Sequence, residues 1–218
     1  IIWNTDDLKR AKPSPFDEAV SLIWYLETVF YHSASYIYYY LQLHIFGDDL
    51  IQNSIFDFGF WPGGDRDGNP FVTPEISLKT ADKLKFSILR NYYRDLRKLK
   101  RKITFDSVDV KISDLEQTVY NSLLYPKKNI PITLEEFLDK LIEIKNILVT
   151  KHQSIYIDSI DDLIHKIKLF GFHFASLDIR QDSRVHNKVF NFIINNNDIR
   201  KYIKNFHENY KELSLNDR

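Results

Sequence analysis

Apolar positions recur every three to four residues along most of this chain, and in two places the period drops to two. A first helix opens at Ser14, a capping side chain, with Pro15 at the first helical position and Asp17 and Glu18 in the first turn. Its apolar stripe passes through Val20, Ile23, Trp24 and Leu26. The pattern weakens from Tyr31 to Ser35, then continues or restarts over 36–47. Tyr36, Tyr38, Tyr39 and Tyr40 read as core and helix-packing aromatics, because no basic residues interleave them as a base-stacking platform would require. The strongest helix is capped by Thr73, starts at Pro74 and carries Ala81, Leu84, Ile88, Tyr92, Leu96 and Leu99 on one face. Two capping boxes follow: Ser113 with Glu116 predicts a helix over 114–125, and Thr133 with Glu136 one over 134–149, with 121–133 between them as a loop. A helix over 160–169 stops at Gly171, and helices over 187–196 and 198–213 close the chain around Asn195–Asn197. The period-two stretches, 54–61 and 172–180, predict short strands, each ending in a charged segment. No repeat or linker divides this mainly helical body.

Composition changes the picture at one point. The chain has only 6 glycines and 7 prolines in 218 residues, yet Gly63, Gly64 and Gly68 all fall between Pro62 and Pro70, in "GFWPGGDRDGNP". Such a concentration predicts a tightly turned loop, at a polar site or at the surface. Lys+Arg and Asp+Glu are 30 each, so no global field points to nucleic acid. The run Arg94, Arg97, Lys98, Lys100, Arg101 and Lys102 fits the negative end of its helix and reads as a solvated face. Zero cysteines exclude disulfides, thiol nucleophiles and thiolate metal sites. Apolar runs are too short to span a membrane. Met is absent throughout, including the first position, and the expectation is a piece of a longer protein.

Two segments can carry chemistry. Asp65-Arg66-Asp67-Gly68-Asn69 begins like a calcium loop, but Pro70 stands where that loop needs glycine and Ile76 where it needs the bidentate glutamate. No phosphate-cradling GxxxxGK[ST] is present. What remains is Arg66 between Asp65 and Asp67, which can orient its guanidinium; a solvated surface turn is the alternative. In "SLDIRQDSRVH", Arg180 points opposite Ile179, which belongs in a packed layer, and its fork of donors suits a phosphate or carboxylate. The alternative is an ion pair with Asp178 or Asp182. His173 in its strand reads as structural, and neither His165 nor His186 has the setting of a proton-transfer group.

"FWPGGDRDGNPFVT" and "FGFHFASLDIRQDS", in that order and preceded by "WNTDDLKRAKPSPFDEA", resemble the signature stretches of bacterial-type phosphoenolpyruvate carboxylase. The resemblance covers essentially the whole chain and implies only about a quarter of such an enzyme. It implies a (β/α)8 TIM-like barrel of the phosphoenolpyruvate/pyruvate type with extra helices. Residues 1–218 would be one piece from its N-terminal half, incomplete at both ends. It implies a carbon–carbon lyase that carboxylates phosphoenolpyruvate with bicarbonate, giving oxaloacetate and phosphate. Such an enzyme fixes carbon dioxide for the tricarboxylic acid cycle, is cytoplasmic and homotetrameric, and uses Mg2+ or Mn2+. Carried onto this chain, Arg180, Arg66, Asp65 and Asp67 are the catalytic candidates, and Arg180 and Asn69 the substrate-binding ones. The family's TAHPTE histidine, metal ligands and GRGG loop have no counterpart here, so no metal ligand, bound metal or independent activity is expected of the piece. Its partners would be phosphoenolpyruvate, bicarbonate and the rest of the polypeptide, with neither nucleic acid nor membrane. The competing reading is a non-catalytic helical interaction or scaffold module.

Overall fold

The longest helix is specified at both ends. Thr73 Oγ1 accepts the Ile76 N–H at 3.4 Å, Pro74 supplies a helical φ, and Lys100, Arg101 and Lys102 occupy the last turn. In the computed structural model, which describes residues 12–46, 57–67, 69–125 and 132–201, this helix is the spine of the fold. Counting elements along the chain, α1 (Pro15–Tyr25) runs through a π-helical turn, Leu26–Phe30, into α2 (Tyr31–Leu41), and a second π-helical turn covers Gln42–Phe46. Then come β1 (Gly59–Phe60), α3 (Pro74–Lys102), α4 (Val108–Leu124), α5 (Leu134–Lys151) and α6 (Ile157–Phe170). The last elements are β2 (Ser176–Leu177), α7 (Ser183–Asn195) and α8 (Asn197–Arg200). At 29 residues α3 is about 40 Å long. The helices α1, α4 and α6 pack on it, α2 packs on α6, and α5 bridges α4 and α6.

The expected core stripe of α3 is buried at Leu84, Ile88, Tyr92, Leu96 and Leu99, while Ala81 is exposed. Capping boxes at Ser14 with Asp17 and at Thr133 with Glu136 are both formed. Gly171 ends α6 at φ 54°, a value that favours glycine. Its carbonyl accepts the Tyr92 hydroxyl at 2.6 Å, which ties the start of the β2 segment to the spine. Phe174 then adopts φ 69°, unusual for a bulky residue. It is buried against Phe170 and Tyr31, with ring centroids 5.1 and 6.2 Å away. That packing holds the chain as it enters β2.

Several expectations need correction. Helix α4 begins at Val108, not after Ser113. Val108, Ile112, Leu115 and Val119 form a buried stripe that extends the helix backward, and Ser113 falls inside it. Of the four tyrosines only Tyr38 is buried; Tyr36, Tyr39 and Tyr40 lie on the outer side of α2. Trp24 is exposed as well. Helix α6 starts three residues early, at Ile157, and α7 four early, at Ser183, where Asp182 Oδ1 accepts the Arg184 N–H at 2.7 Å. Both strands shorten to two residues. The start of the first predicted strand (54–56), Gly68, part of the predicted loop (126–131) and most of the last helix (202–213) lie outside the described residues.

The basic end of α3 is not simply solvated. Glu27, buried in the first π-helical turn, accepts from Arg90 Nε at 2.7 Å and pairs with Arg94 at 3.3 Å. Lys100 pairs with Glu116 at 2.8 Å. Deeper in, Asp95 accepts from the Tyr31 hydroxyl (2.9 Å), Lys98 (3.0 Å) and Lys166 (3.1 Å), and Lys166 also reaches Asp162 at 2.6 Å. Burial pushes the Asp95 carboxyl up, but Lys166 and Lys98 outweigh it and hold the carboxyl below its usual value. A depressed folded value means that this network stabilises the protein above the unfolded carboxylate pKa. The contribution is lost as pH falls through the lower folded value. Melting temperature is therefore expected to fall below about pH 4, and Asp95→Asn to flatten that acid limb. A melt series from pH 3 to 7 on both proteins checks this, and identical acid limbs would contradict it.

Candidate functional site

The glycine-rich loop and the LDIRQ stretch lie side by side. Strands β1 and β2 are parallel, with Gly59 opposite Ser176 and Phe60 opposite Leu177. The Ser176 N–H donates to Phe58 O and the Asp178 N–H to Phe60 O, both at 2.8 Å. Gly64 and Asp65 then close a turn by donating to Trp61 O at 2.9 and 3.0 Å. Beyond it the ladder resumes: the Arg180 N–H donates to Gly64 O at 3.1 Å and the Arg66 N–H to Arg180 O at 2.9 Å, with Asp65 opposite Arg180.

Two glycines make this approach possible. Gly63 sits at φ 80°, and a Cβ on it would fall 2.2 Å from Thr80 Oγ1. A Cβ on Gly64 would fall 2.1 Å from Asp178 O, a backbone atom that cannot swing aside. The loop is thus wedged between α3 and the β2 segment.

The ladder has two unlike faces. Phe60 is buried and Leu177 packs on the helical core. Gly59, Ser176, Asp178 and Arg180 are exposed on the other side, and Asp65, paired with Arg180, projects with it. Among the described residues Arg180 has no ion-pair partner: it pairs with neither Asp178 nor Asp182, and Asp182 pairs instead with Arg184 at 2.6 Å. Arg184 and its own cap hold the Asp182 carboxyl below its usual range. Ile179, expected in a packed layer, is 55% exposed, since the helices cover the ladder only as far as Leu177.

Arg66 does not join its neighbouring aspartates. Its Nη2 donates to Ser77 Oγ at 3.2 Å, on the α3 side, and Ser77 Oγ donates to Gly63 O at 2.7 Å. Asp65 Oδ1 accepts the Asp67 N–H at 3.3 Å, and Asn69 Oδ1 accepts the Phe71 N–H at 3.1 Å. Asp65, Asp67 and Asn69 line a cleft of about 160 Å³ that Pro15 and Glu18 of α1 close from the other side. The structure therefore separates the predicted residues into three places. Arg180 and Asp65 share the open face, Asp67 and Asn69 flank the cleft beside Asp65, and Arg66 turns inward. Sequence reasoning missed Ser77; its position one turn after the Thr73 cap carried no signal of its own.

The histidines stand apart from this site. His173 is exposed in the turn before β2, where a structural position within the strand was expected. His165 packs on Tyr38 with ring centroids 4.9 Å apart, and burial lowers its pKa. His186 is exposed on α7. Among the described residues no group of three or more His, Asp or Glu is placed to hold a metal ion. No described helix is long and apolar enough to cross a membrane.

Comparison with known proteins fits this geometry. The family model described as phosphoenolpyruvate carboxylase matches residues 1–129 and 112–217. The phosphoenolpyruvate carboxylase of Trichormus variabilis is 25% identical over 99% of this chain and 25% of its own length. Those of Shewanella sediminis and Aeromonas salmonicida are 25% and 24% identical over 86% of the chain, again with 25% of their own lengths. The chain thus spans about a quarter of the curated relatives it matches. With both signature stretches joined in one ladder and the family model matched from end to end, the chain belongs to the phosphoenolpyruvate carboxylase family.

Proposed function

We propose that this chain forms part of a carbon–carbon lyase that carboxylates phosphoenolpyruvate with bicarbonate, yielding oxaloacetate and phosphate. The observation that carries the reading is Arg180: an exposed guanidinium without a carboxylate partner among the described residues, at the carboxyl end of a strand, on the face that the helices leave open. Such a fork grips two oxygens of a phosphoryl group. The ladder belongs, in this reading, to a (β/α)8 barrel, where catalytic groups gather at the strands' carboxyl ends. The remaining strands come from the rest of the polypeptide.

In the reaction a bicarbonate oxygen forms a bond to phosphorus as the bond from phosphorus to the enol oxygen breaks. Carboxyphosphate and the enolate of pyruvate result, and the enolate carbon then takes the carboxyl group while phosphate leaves. Arg180 offsets charge on the phosphoryl oxygens throughout this transfer. Asp65 borders the reacting centre beside Arg180, Asp67 and Asn69 border it from the adjoining cleft, with Asn69 as the substrate-binding group, and Arg66, held by Ser77, lies behind the ladder. The family implies Mg2+ or Mn2+; the described residues do not supply its ligands, so no step is assigned to it. A cytoplasmic homotetramer feeding the tricarboxylic acid cycle is the corresponding setting.

The test is oxaloacetate formation from phosphoenolpyruvate, bicarbonate and Mg2+ by a full-length polypeptide carrying this chain. Turnover that requires bicarbonate is expected, while the 218-residue chain alone is expected to be inactive. A folded full-length protein without turnover would favour a non-catalytic helical module.

A further inference from the structure

We infer that Ser77 is a positioning residue for this site, acting through Arg66; the inference rests on the function proposed above. Ser77 Oγ has one proton, which goes to the buried Gly63 carbonyl at 2.7 Å in preference to the Thr73 carbonyl at 3.3 Å. Its oxygen is then free to accept from Arg66 Nη2, at 3.2 Å. The Arg66 backbone N–H in turn holds the Arg180 carbonyl at 2.9 Å. One hydroxyl on the first turns of α3 therefore fixes the loop glycine, the Arg66 side chain and, through Arg66, the end of the ladder that presents Arg180.

The chemistry of the partner matters. A carboxylate would hold Arg66 and also cancel its charge, whereas a hydroxyl holds it and leaves the charge in place. Arg66 Nε is buried without a partner among the described residues, and there the only side-chain hydrogen bond of the guanidinium is the one to Ser77. The exposed Glu75 nearby feels the charge, after the larger effects of its own hydrogen bonds to Thr73 and the backbone. Arg66 thus adds a fixed positive field behind the face on which Arg180 meets an anion. Its position depends on Ser77.

The experiment is a double-mutant cycle in the full-length protein, reading kcat/KM for phosphoenolpyruvate together with thermal melting. Ser77→Ala is expected to lower kcat/KM about tenfold. Ser77→Thr, which keeps the hydroxyl, is expected to stay within about twofold of the unmodified protein. In an Arg66→Ala background, Ser77→Ala is expected to add less than about twofold, because the group it positions is gone. A full multiplicative loss in that background would overturn the inference, and so would an unaffected Ser77→Ala or an inactive Ser77→Thr. If Ser77→Ala melts below the assay temperature, Ser77→Cys takes its place in the cycle with the same expected losses. A silent Arg66→Ala beside an inactive Arg180→Ala overturns the Ser77 inference alone. If both arginine variants are fully active, the proposed function itself fails.

Discussion

Gly64→Ala is expected to detach the glycine-rich loop from the β2 segment and to reduce turnover of the full-length protein by more than about a hundredfold. The added Cβ would meet Asp178 O at 2.1 Å and Asp178 C at 3.1 Å. Real Cβ atoms do not approach backbone that closely, so the ladder must open. Opening it breaks the bonds from Arg180 N–H to Gly64 O and from Arg66 N–H to Arg180 O. Each such bond contributes about 1 kcal/mol net, and the carbonyl of the buried Gly64 left unpaired costs roughly 1–3 kcal/mol more. The substitution therefore falls among the few that destabilise by about 4 kcal/mol or more. Gly59 provides the stability comparison, because a Cβ there meets nothing closer than Asp178 Oδ2 at 4.0 Å. Melting and amide exchange of both variants check the prediction. Fast exchange of the Arg180 amide is expected only in Gly64→Ala, and slow exchange there would contradict the wedged loop.

Arg180→Ala is expected to cut kcat/KM about a hundredfold or more, while Arg94→Ala leaves it nearly unchanged. Losing a charge-assisted contact to a phosphoryl oxygen in the transition state costs roughly 3–4 kcal/mol. Arg94 is half-exposed and shares Glu27 with Arg90, which keeps the buried carboxylate paired when Arg94 is removed. Its loss should cost at most about 1 kcal/mol of stability. Steady-state kinetics on the two purified variants decide. Equal losses, or a harmless Arg180→Ala, would make Arg180 a structural residue only.

What was legible in the sequence was local. Ser14, Thr73 and Thr133 each announced a helix because a short side chain before an apolar stripe satisfies an unpaired N–H. Gly171 marked a helix end because few other residues take its φ. Where two local signals competed, the stronger burial pattern won, as at Val108 over the Ser113 box. The exposed tyrosines of α2 were misread because composition tells aromatic content but not which side of a helix finds a partner.

The site was legible as two charged segments, not as an arrangement. Pairing Gly59 with Ser176 is a long-range event that no local pattern encodes. The need for Gly64 likewise depends on a carbonyl supplied by the distant Asp178. The partner of Arg66 was predicted from its chain neighbours, yet the turn carries Asp65 toward the α1 cleft and sends the guanidinium to Ser77 on α3. Proximity in sequence failed there because the resumed ladder directs alternate side chains to opposite faces.

The most direct measurement of the central claim is equilibrium binding of phosphoenolpyruvate to the full-length protein with Arg, Lys or Ala at position 180. Lysine keeps the charge but loses the planar fork. Affinity is expected to fall stepwise, with Arg180→Lys intermediate and Arg180→Ala weakened at least about tenfold, a difference of about 1.4 kcal/mol. Equal affinity in all three folded proteins would contradict the claim that Arg180 receives the substrate's phosphate.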